Sequence, residues 1–195
     1  GGVEDQRDPQ RFLVKEDAVG FLVVEGLQSL AVIRGEDQQR IVAAPELATD
    51  GQLKIDWVRR NMPILRGLED EFAAQQPFAG KRILVCVHLE AKTAYLAKVL
   101  AAGGATVVVT GSNPDSTKDD VVAALAASGL GVYARHGATL DEMHRYMDMA
   151  LDVYPNIVID DGGDIVSLLH EKRQELLPEV IGVCEETTTG VQRAR

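Results

Sequence analysis

Three segments of this 195-residue chain set polar side chains at the ends of short apolar runs: Val87-His88-Leu89-Glu90-Ala91-Lys92-Thr93, Asp160-Asp161-Gly162-Gly163-Asp164 and Glu185-Glu186-Thr187-Thr188-Thr189-Gly190. The imidazole of His88 could serve as acid, base or hydrogen-bond donor. Glu90, Lys92 and Thr93 crowd into the same turn, where packing asks for no polar group; the plainer alternative is that Glu90 and Lys92 form a solvated surface pair. Around Asp161, two glycines let the backbone turn sharply and approach a ligand, while three carboxylates within five residues repel one another unless donors or ligand hydroxyls satisfy them. Asp164 has an ordinary use as a helix N-cap, and Asp161 has none. In the third segment a carboxylate can accept from both hydroxyls of a ribose, and consecutive threonine hydroxyls suit a polyol or phosphate edge. A Thr-rich turn is the bland reading there.

Other chemistries fail on spacing. His88-x-Glu90 has the beginning of a nucleobase deaminase motif, but no P-C-x-x-C follows to complete a zinc site. His170-Glu171 lacks the second histidine of H-E-x-x-H, so no metal site is expected. Neither G-x-G-x-x-G nor G-x-x-x-x-G-K-[ST] occurs, and the chain therefore carries no dinucleotide or triphosphate loop of its own.

A formal net charge of -10 opposes a phosphate backbone, and no Lys/Arg cluster offsets it, which argues against nucleic acid as a partner. The longest apolar runs, Ile83 to Val87 and Ala105 to Val109, fall far below the ~20 residues of a bilayer span. Gly1 to Arg11 is too charged for a signal peptide, so no membrane partner and a cytoplasmic location are expected. Cys86 and Cys184 each fall in a strand expected to be buried, without C-x-x-C spacing, and read as inert core thiols.

The elements that must position these groups form two regions. Residues 1-50 read as a polar tail and a small β-rich segment, with runs at Gly20 to Val24, Leu30 to Ile33 and Arg40 to Ala43. From Ile55 the apolar spacing is helical through Phe72, with Pro63 forcing a kink or restart. After Gly80 strands (Arg82 to His88, Ala105 to Thr110, Gly131 to Ala134, Asn156 to Asp160, Val180 to Cys184) alternate with helices (Ala91 to Ala102, Thr117 to Ser128, Thr139 to Val153, Asp164 to Leu176). Ser116 or Thr117 is expected to cap the second of these helices and Gly129 to stop it. Such alternation predicts an α/β fold over 51-195, a doubly wound, mostly parallel sheet with helices on both faces. His88, Asp161 and Glu186 would then line one crevice at the carboxyl ends of its strands, with Glu90 and Thr93 beside it.

From about Ile55 to Arg193 the chain resembles the N-terminal, substrate-binding part of the S-adenosylhomocysteine hydrolase family. The resemblance runs through Asn61-Met62-Pro63-Ile64-Leu65, Val87-His88-Leu89-Glu90, Asn113-Pro114-Asp115-Ser116-Thr117-Lys118-Asp119-Asp120, Asp160-Asp161-Gly162-Gly163-Asp164 and Glu185-Glu186-Thr187-Thr188-Thr189-Gly190-Val191. Members of that family use NAD to oxidise the ribose 3'-hydroxyl, eliminate homocysteine, add water and reduce the ketone again. The resemblance implies a small nucleoside thioether as the molecule bound, His88 and Asp161 acting near the 5' carbon and sulfur, and Glu186 gripping the ribose hydroxyls. It also implies that Asn113, Ser116 and Thr117 shape the pocket wall and that Thr187, Thr188 and Thr189 touch NAD held by another domain.

In the family a lysine and an aspartate follow soon after the Thr-Thr-Thr-Gly segment, and the NAD domain follows them; the sequence here stops at Arg195. The reading is a portion of a longer hydrolase, with a stand-alone nucleoside-binding or scaffolding module as the alternative and a homo-oligomer compatible with both. This chain alone is expected to hold no NAD tightly and to release no homocysteine. One departure bears on the base. Where adenosine-specific members commonly have a threonine followed by an acidic or amide residue, this chain has Glu90 and Lys92. Lysine only donates and an ionised glutamate only accepts, which suits the O6 and N1-H of hypoxanthine, so S-inosylhomocysteine is the expected ligand type and S-adenosylhomocysteine the runner-up.

Overall fold

The computed structural model of the chain describes residues 45–195, so the β-runs expected between Gly20 and Ala43 lie outside the described residues. Helices α1 (Pro45–Asn61) and α2 (Pro63–Gln75) are the long helix expected from Ile55, begun earlier and broken once. Met62 leaves helical geometry at φ -119° and ψ 75°, and Pro63 restarts the helix in its first turn, where a missing N–H sacrifices no intrahelical bond.

Thereafter come β1 (Arg82–Val87), α3 (Ala91–Ala102), β2 (Thr106–Gly111), α4 (Asp119–Ala127), β3 (Gly131–Tyr133), α5 (Leu140–Leu151), β4 (Ile157–Asp160), α6 (Asp164–Glu171), a 3-10 helix (Gln174–Glu179), β5 (Gly182–Glu185) and α7 (Thr188–Arg193). The expected α/β class is what the chain adopts. The strands form one sheet in the order β3-β2-β1-β4-β5, and every neighbouring pair is parallel. Parallel strands joined by helical crossovers must bury both faces, and Leu84, Val85 and Cys86 at the middle of the sheet are fully buried.

The chain steps outward from β1 to β2 to β3, then returns across the sheet to β4 on the other side of β1. Right-handed crossovers put helices reached in opposite directions on opposite faces. Accordingly α3 and α4 cover one face and α5 and α6 the other, while α1 lies outside α3 and α4. Gly51 lets α1 come that close: a Cβ there would stand 1.9 Å from the backbone oxygen of Asp120. Lys54 on α1 pairs with Asp120 at the same crossing.

Three local expectations are corrected. Neither Ser116 nor Thr117 caps α4. Both hydroxyls donate to Asn113 O at 3.0 Å, Lys118 N–H donates to Leu89 O, and the helix opens at Asp119 once the loop is tied down. The helix expected from Asp164 to Leu176 stops at Glu171, and a 3-10 turn containing Pro178 delivers Leu176 fully buried into the core. Cys184 is exposed, although Cys86 is buried: β5 pairs with β4 alone among the described residues and is exposed along almost its whole length, whereas the other edge strand, β3, is buried. No helix among the described residues is long and apolar enough to cross a membrane.

Candidate active site

The strand order places β1 and β4 side by side at the point where the winding reverses, the position at which open α/β sheets leave a crevice beyond the strand ends. His88 follows β1, Ser112 follows β2, Asp161 follows β4 and Glu186 follows β5. His88 Nε2 lies 3.5 Å from Asp161 Oδ2. Ser112 donates to that same oxygen at 2.9 Å, and Ser116 Oγ lies 2.6 Å from His88 Nδ1. Half of the His88 side chain is open to solvent and only 9% of that of Asp161, so the imidazole is the accessible partner and the carboxylate the enclosed one.

The loop that carries Asp161 is held by two carboxylates at the ends of neighbouring strands, Asp160 and Glu185, which face each other in register. Asp160 accepts from the N–H groups of Asp161 at 3.0 Å and Val166 at 3.1 Å, so it satisfies the first turn of α6 from the strand side. Gly163 at φ 76° occupies the cap position itself, and Asp164, expected as the cap, instead pairs with Arg193 at 2.8 Å. Glu185 accepts from Gly162 N–H, Gly163 N–H, Thr187 N–H and Thr187 Oγ1 at 2.7 to 3.1 Å. A Cβ at position 190 would stand 2.2 Å from the Glu185 carboxyl carbon, so Gly190 is what admits that carboxylate beneath α7.

These two carboxylates titrate in opposite directions. Burial pushes Asp160 up to about 6, with the neighbouring Glu185 charge adding to it against the pull of its two backbone donors. Burial would also raise Glu185, but its four donors outweigh that and hold it below the ordinary range. The Cys86 thiol, buried and beside Asp160, is pushed well up and stays neutral. Because the folded chain holds the Asp160 proton more tightly than an unfolded one, this group favours folding most below about pH 4, and that contribution is lost as pH rises through about 6. Between those limits the effect is about 2–3 kcal/mol. Urea unfolding of wild type and Asp160→Asn should therefore show the difference moving in favour of the variant from pH 4 to pH 7. A pH-independent difference would contradict the assignment.

The remaining groups expected at the site divide. Glu90 and Lys92 lie 3.8 Å apart at the start of α3, half and largely exposed, as the surface-pair reading has it. Thr93 directs its hydroxyl to His88 O at 2.6 Å and fixes the backbone there. Asn113 closes its own turn through Oδ1, and Thr117 is 1% exposed, so a ligand could reach little of it. Thr187 caps α7 and bonds Glu185, as in a Thr-rich turn, whereas Thr188 and Thr189 are exposed. A cleft of about 500 Å³ runs beside this edge, floored by Met62, Leu65, Leu96 and Ile159 and rimmed by Lys92, Thr93 and Glu186. His88 and Asp161 are not among the residues that line this cleft. A larger groove of about 680 Å³ between α5 and α6 contains neither His88 nor Glu186, and its Arg173 and Arg193 are already paired with acids. Ser112 carries no signal in the sequence beyond its place at the carboxyl end of a strand, and Glu185 enters there only as the first residue of its segment, without a role.

The chain is a parallel α/β domain of the open-sheet class, with an imidazole, a carboxylate and two serine hydroxyls converging at its switch point. Comparison with known proteins narrows this. The sequence profile of S-adenosyl-L-homocysteine hydrolase matches residues 39–180, and the chain belongs to that family. It is 55% identical over 149 residues to the adenosylhomocysteinase of Pyrococcus abyssi, covering 76% of this chain and 35% of that protein. It is 48% identical over 149 residues to the S-inosyl-L-homocysteine hydrolase of Methanococcus maripaludis, covering 76% of this chain and 36% of that protein. The chain thus spans about a third of the length of these relatives. The match begins at residue 39, earlier than the resemblance read from the motifs.

Proposed function

We propose that this domain binds the nucleoside thioether of an S-adenosyl- or S-inosyl-L-homocysteine hydrolase, and that it favours hypoxanthine over adenine. The observation that carries the reading is the approach of His88 to Asp161 at the switch point, 3.5 Å apart, beside a cleft rimmed by Glu186 and Lys92. On this reading Glu186 accepts from the ribose hydroxyls. Elimination of homocysteine requires a proton for the departing sulfur, and hydration requires one to leave water; His88 and Asp161 are the groups here that can hold and return them. NAD, when bound in the family, supplies the reversible oxidation of the ribose. Among the residues of this chain implied to meet it, Thr188 and Thr189 have hydroxyls exposed for contact, and Thr187 has its own committed to Glu185.

Base preference follows from donor and acceptor chemistry. Lys92 donates to O6 and Glu90 accepts from N1-H; adenine would set a donor against the ammonium and an acceptor against the carboxylate. The two side chains start two residues apart in one turn, with their charged ends 3.8 Å apart, and so can address one base edge together. A mispaired donor or acceptor costs about 1–3 kcal/mol, which is roughly tenfold to a hundredfold in affinity. Calorimetric titration of the chain with inosine and adenosine should show that preference, and Lys92→Gln should reduce it. Equal affinities, or a preference unchanged by the substitution, would refute the assignment.

A further inference from the structure

The β2 loop gives Ser116 two neighbours that together constrain its one proton. Ser116 Oγ lies 3.0 Å from Asn113 O and 2.6 Å from His88 Nδ1. A carbonyl oxygen only accepts, whereas an imidazole nitrogen donates or accepts according to its tautomer. If the hydroxyl proton turned toward Nδ1, the lone pairs of Ser116 Oγ and Asn113 O would face each other at 3.0 Å. With the proton on Asn113 O, which also accepts from Thr117 Oγ1 at 3.0 Å and Thr117 N–H at 3.2 Å, Ser116 has a lone pair left to accept from Nδ1–H. The short 2.6 Å contact is then Nδ1–H donating to Oγ.

We infer that Ser116 is a positioning residue that fixes neutral His88 as the Nδ1–H tautomer, leaving Nε2 as the atom through which the imidazole exchanges protons. Nε2 is the nitrogen 3.5 Å from Asp161 Oδ2, so a proton exchanged there passes beside that carboxylate oxygen. Asp161 Oδ2 is itself steadied by Ser112, and both hydroxyls come from the loop after β2. Ser116 therefore acts on His88 instead of on a ligand. This rests on the proposed function only in treating His88 as a site residue; the tautomer is a property of the chain without ligand.

The test is two-bond ¹H–¹⁵N correlation spectroscopy of the histidine rings in the 195-residue chain, at a pH alkaline enough for all imidazoles to be neutral. Protonated and unprotonated ring nitrogens resonate far apart, and His136, whose Nδ1 lies 3.1 Å from the carbonyl of Thr117, supplies an internal Nδ1–H reference. Wild-type His88 is expected to match that reference, Ser116→Ala to lose the single Nδ1–H signature, and Ser116→Thr to restore it. A proton on Nε2 of wild-type His88, or a spectrum unchanged by Ser116→Ala, overturns the inference. Backbone amide spectra report whether each variant is folded, and nucleoside titration of the same samples tests the proposed function separately.

Discussion

Glu185→Ala is expected to lose roughly 2–4 kcal/mol of stability in urea unfolding, because one carboxylate satisfies three backbone N–H groups and a hydroxyl. Hydrogen bonds to a charged acceptor are the strong class, and the loss is kept near the lower end of their sum by water that can enter at the edge strand. The loop of Asp161 and the start of α7 share this carboxylate as a common acceptor, so amide exchange at Gly162, Gly163 and Thr187 should accelerate together. The neighbouring Glu186 is exposed and provides the contrast. Glu186→Ala should change stability by no more than about 0.5 kcal/mol while weakening nucleoside binding. An unaltered stability in Glu185→Ala, or exchange confined to one of the two loops, would show that the carboxylate does not couple them.

The second large effect is at the crossing of α1 and α4, with a control of opposite sign. Alanine normally improves a helix interior by about 1 kcal/mol over glycine. At Gly67 in α2 nothing lies within 4 Å of the position a Cβ would take, so Gly67→Ala should gain about 0.5–1 kcal/mol. At Gly51 the same methyl group would stand 1.9 Å from Asp120 O and 2.9 Å from Val121 N, backbone atoms that cannot swing aside. The helices must separate, and the Lys54–Asp120 pair with them. Gly51→Ala should therefore cost about 1–3 kcal/mol despite the better propensity. Equal effects at the two positions, measured by urea unfolding, would mean that α1 does not pack as described.

How far each feature was legible depends on whether local or distant atoms decide it. The capping box on α5 is local: Thr139 and Glu142 lie three residues apart and exchange both bonds, and the helix starts where the sequence indicates. The start of α4 is not local. Thr117 has the right chemistry for a cap, but Asn113 O and the Leu89 carbonyl, brought up by the loop and by β1, take the available donors. Cys184 errs for a related reason. An apolar strand reads alike whether or not other elements cover it, and among the described residues β5 is left exposed along almost its whole length while the other edge strand, β3, is buried.

By itself the sequence determined the alternation of strand and helix, the parallel sheet with covered faces, and the residues at strand ends that could do chemistry. Periodicity and turn chemistry act over a few residues and survive without knowledge of neighbours. The tertiary structure alone decided which atoms of those strand ends meet. Winding outward through β2 and β3 and back to β4 sets Asp161 beside His88, gives Ser112 and Ser116 to those two side chains, and makes Glu185 the anchor of two loops. Those pairings form between residues far apart in the chain. Their energy comes from contacts that exist only after the sheet has closed its order, so no local pattern records them.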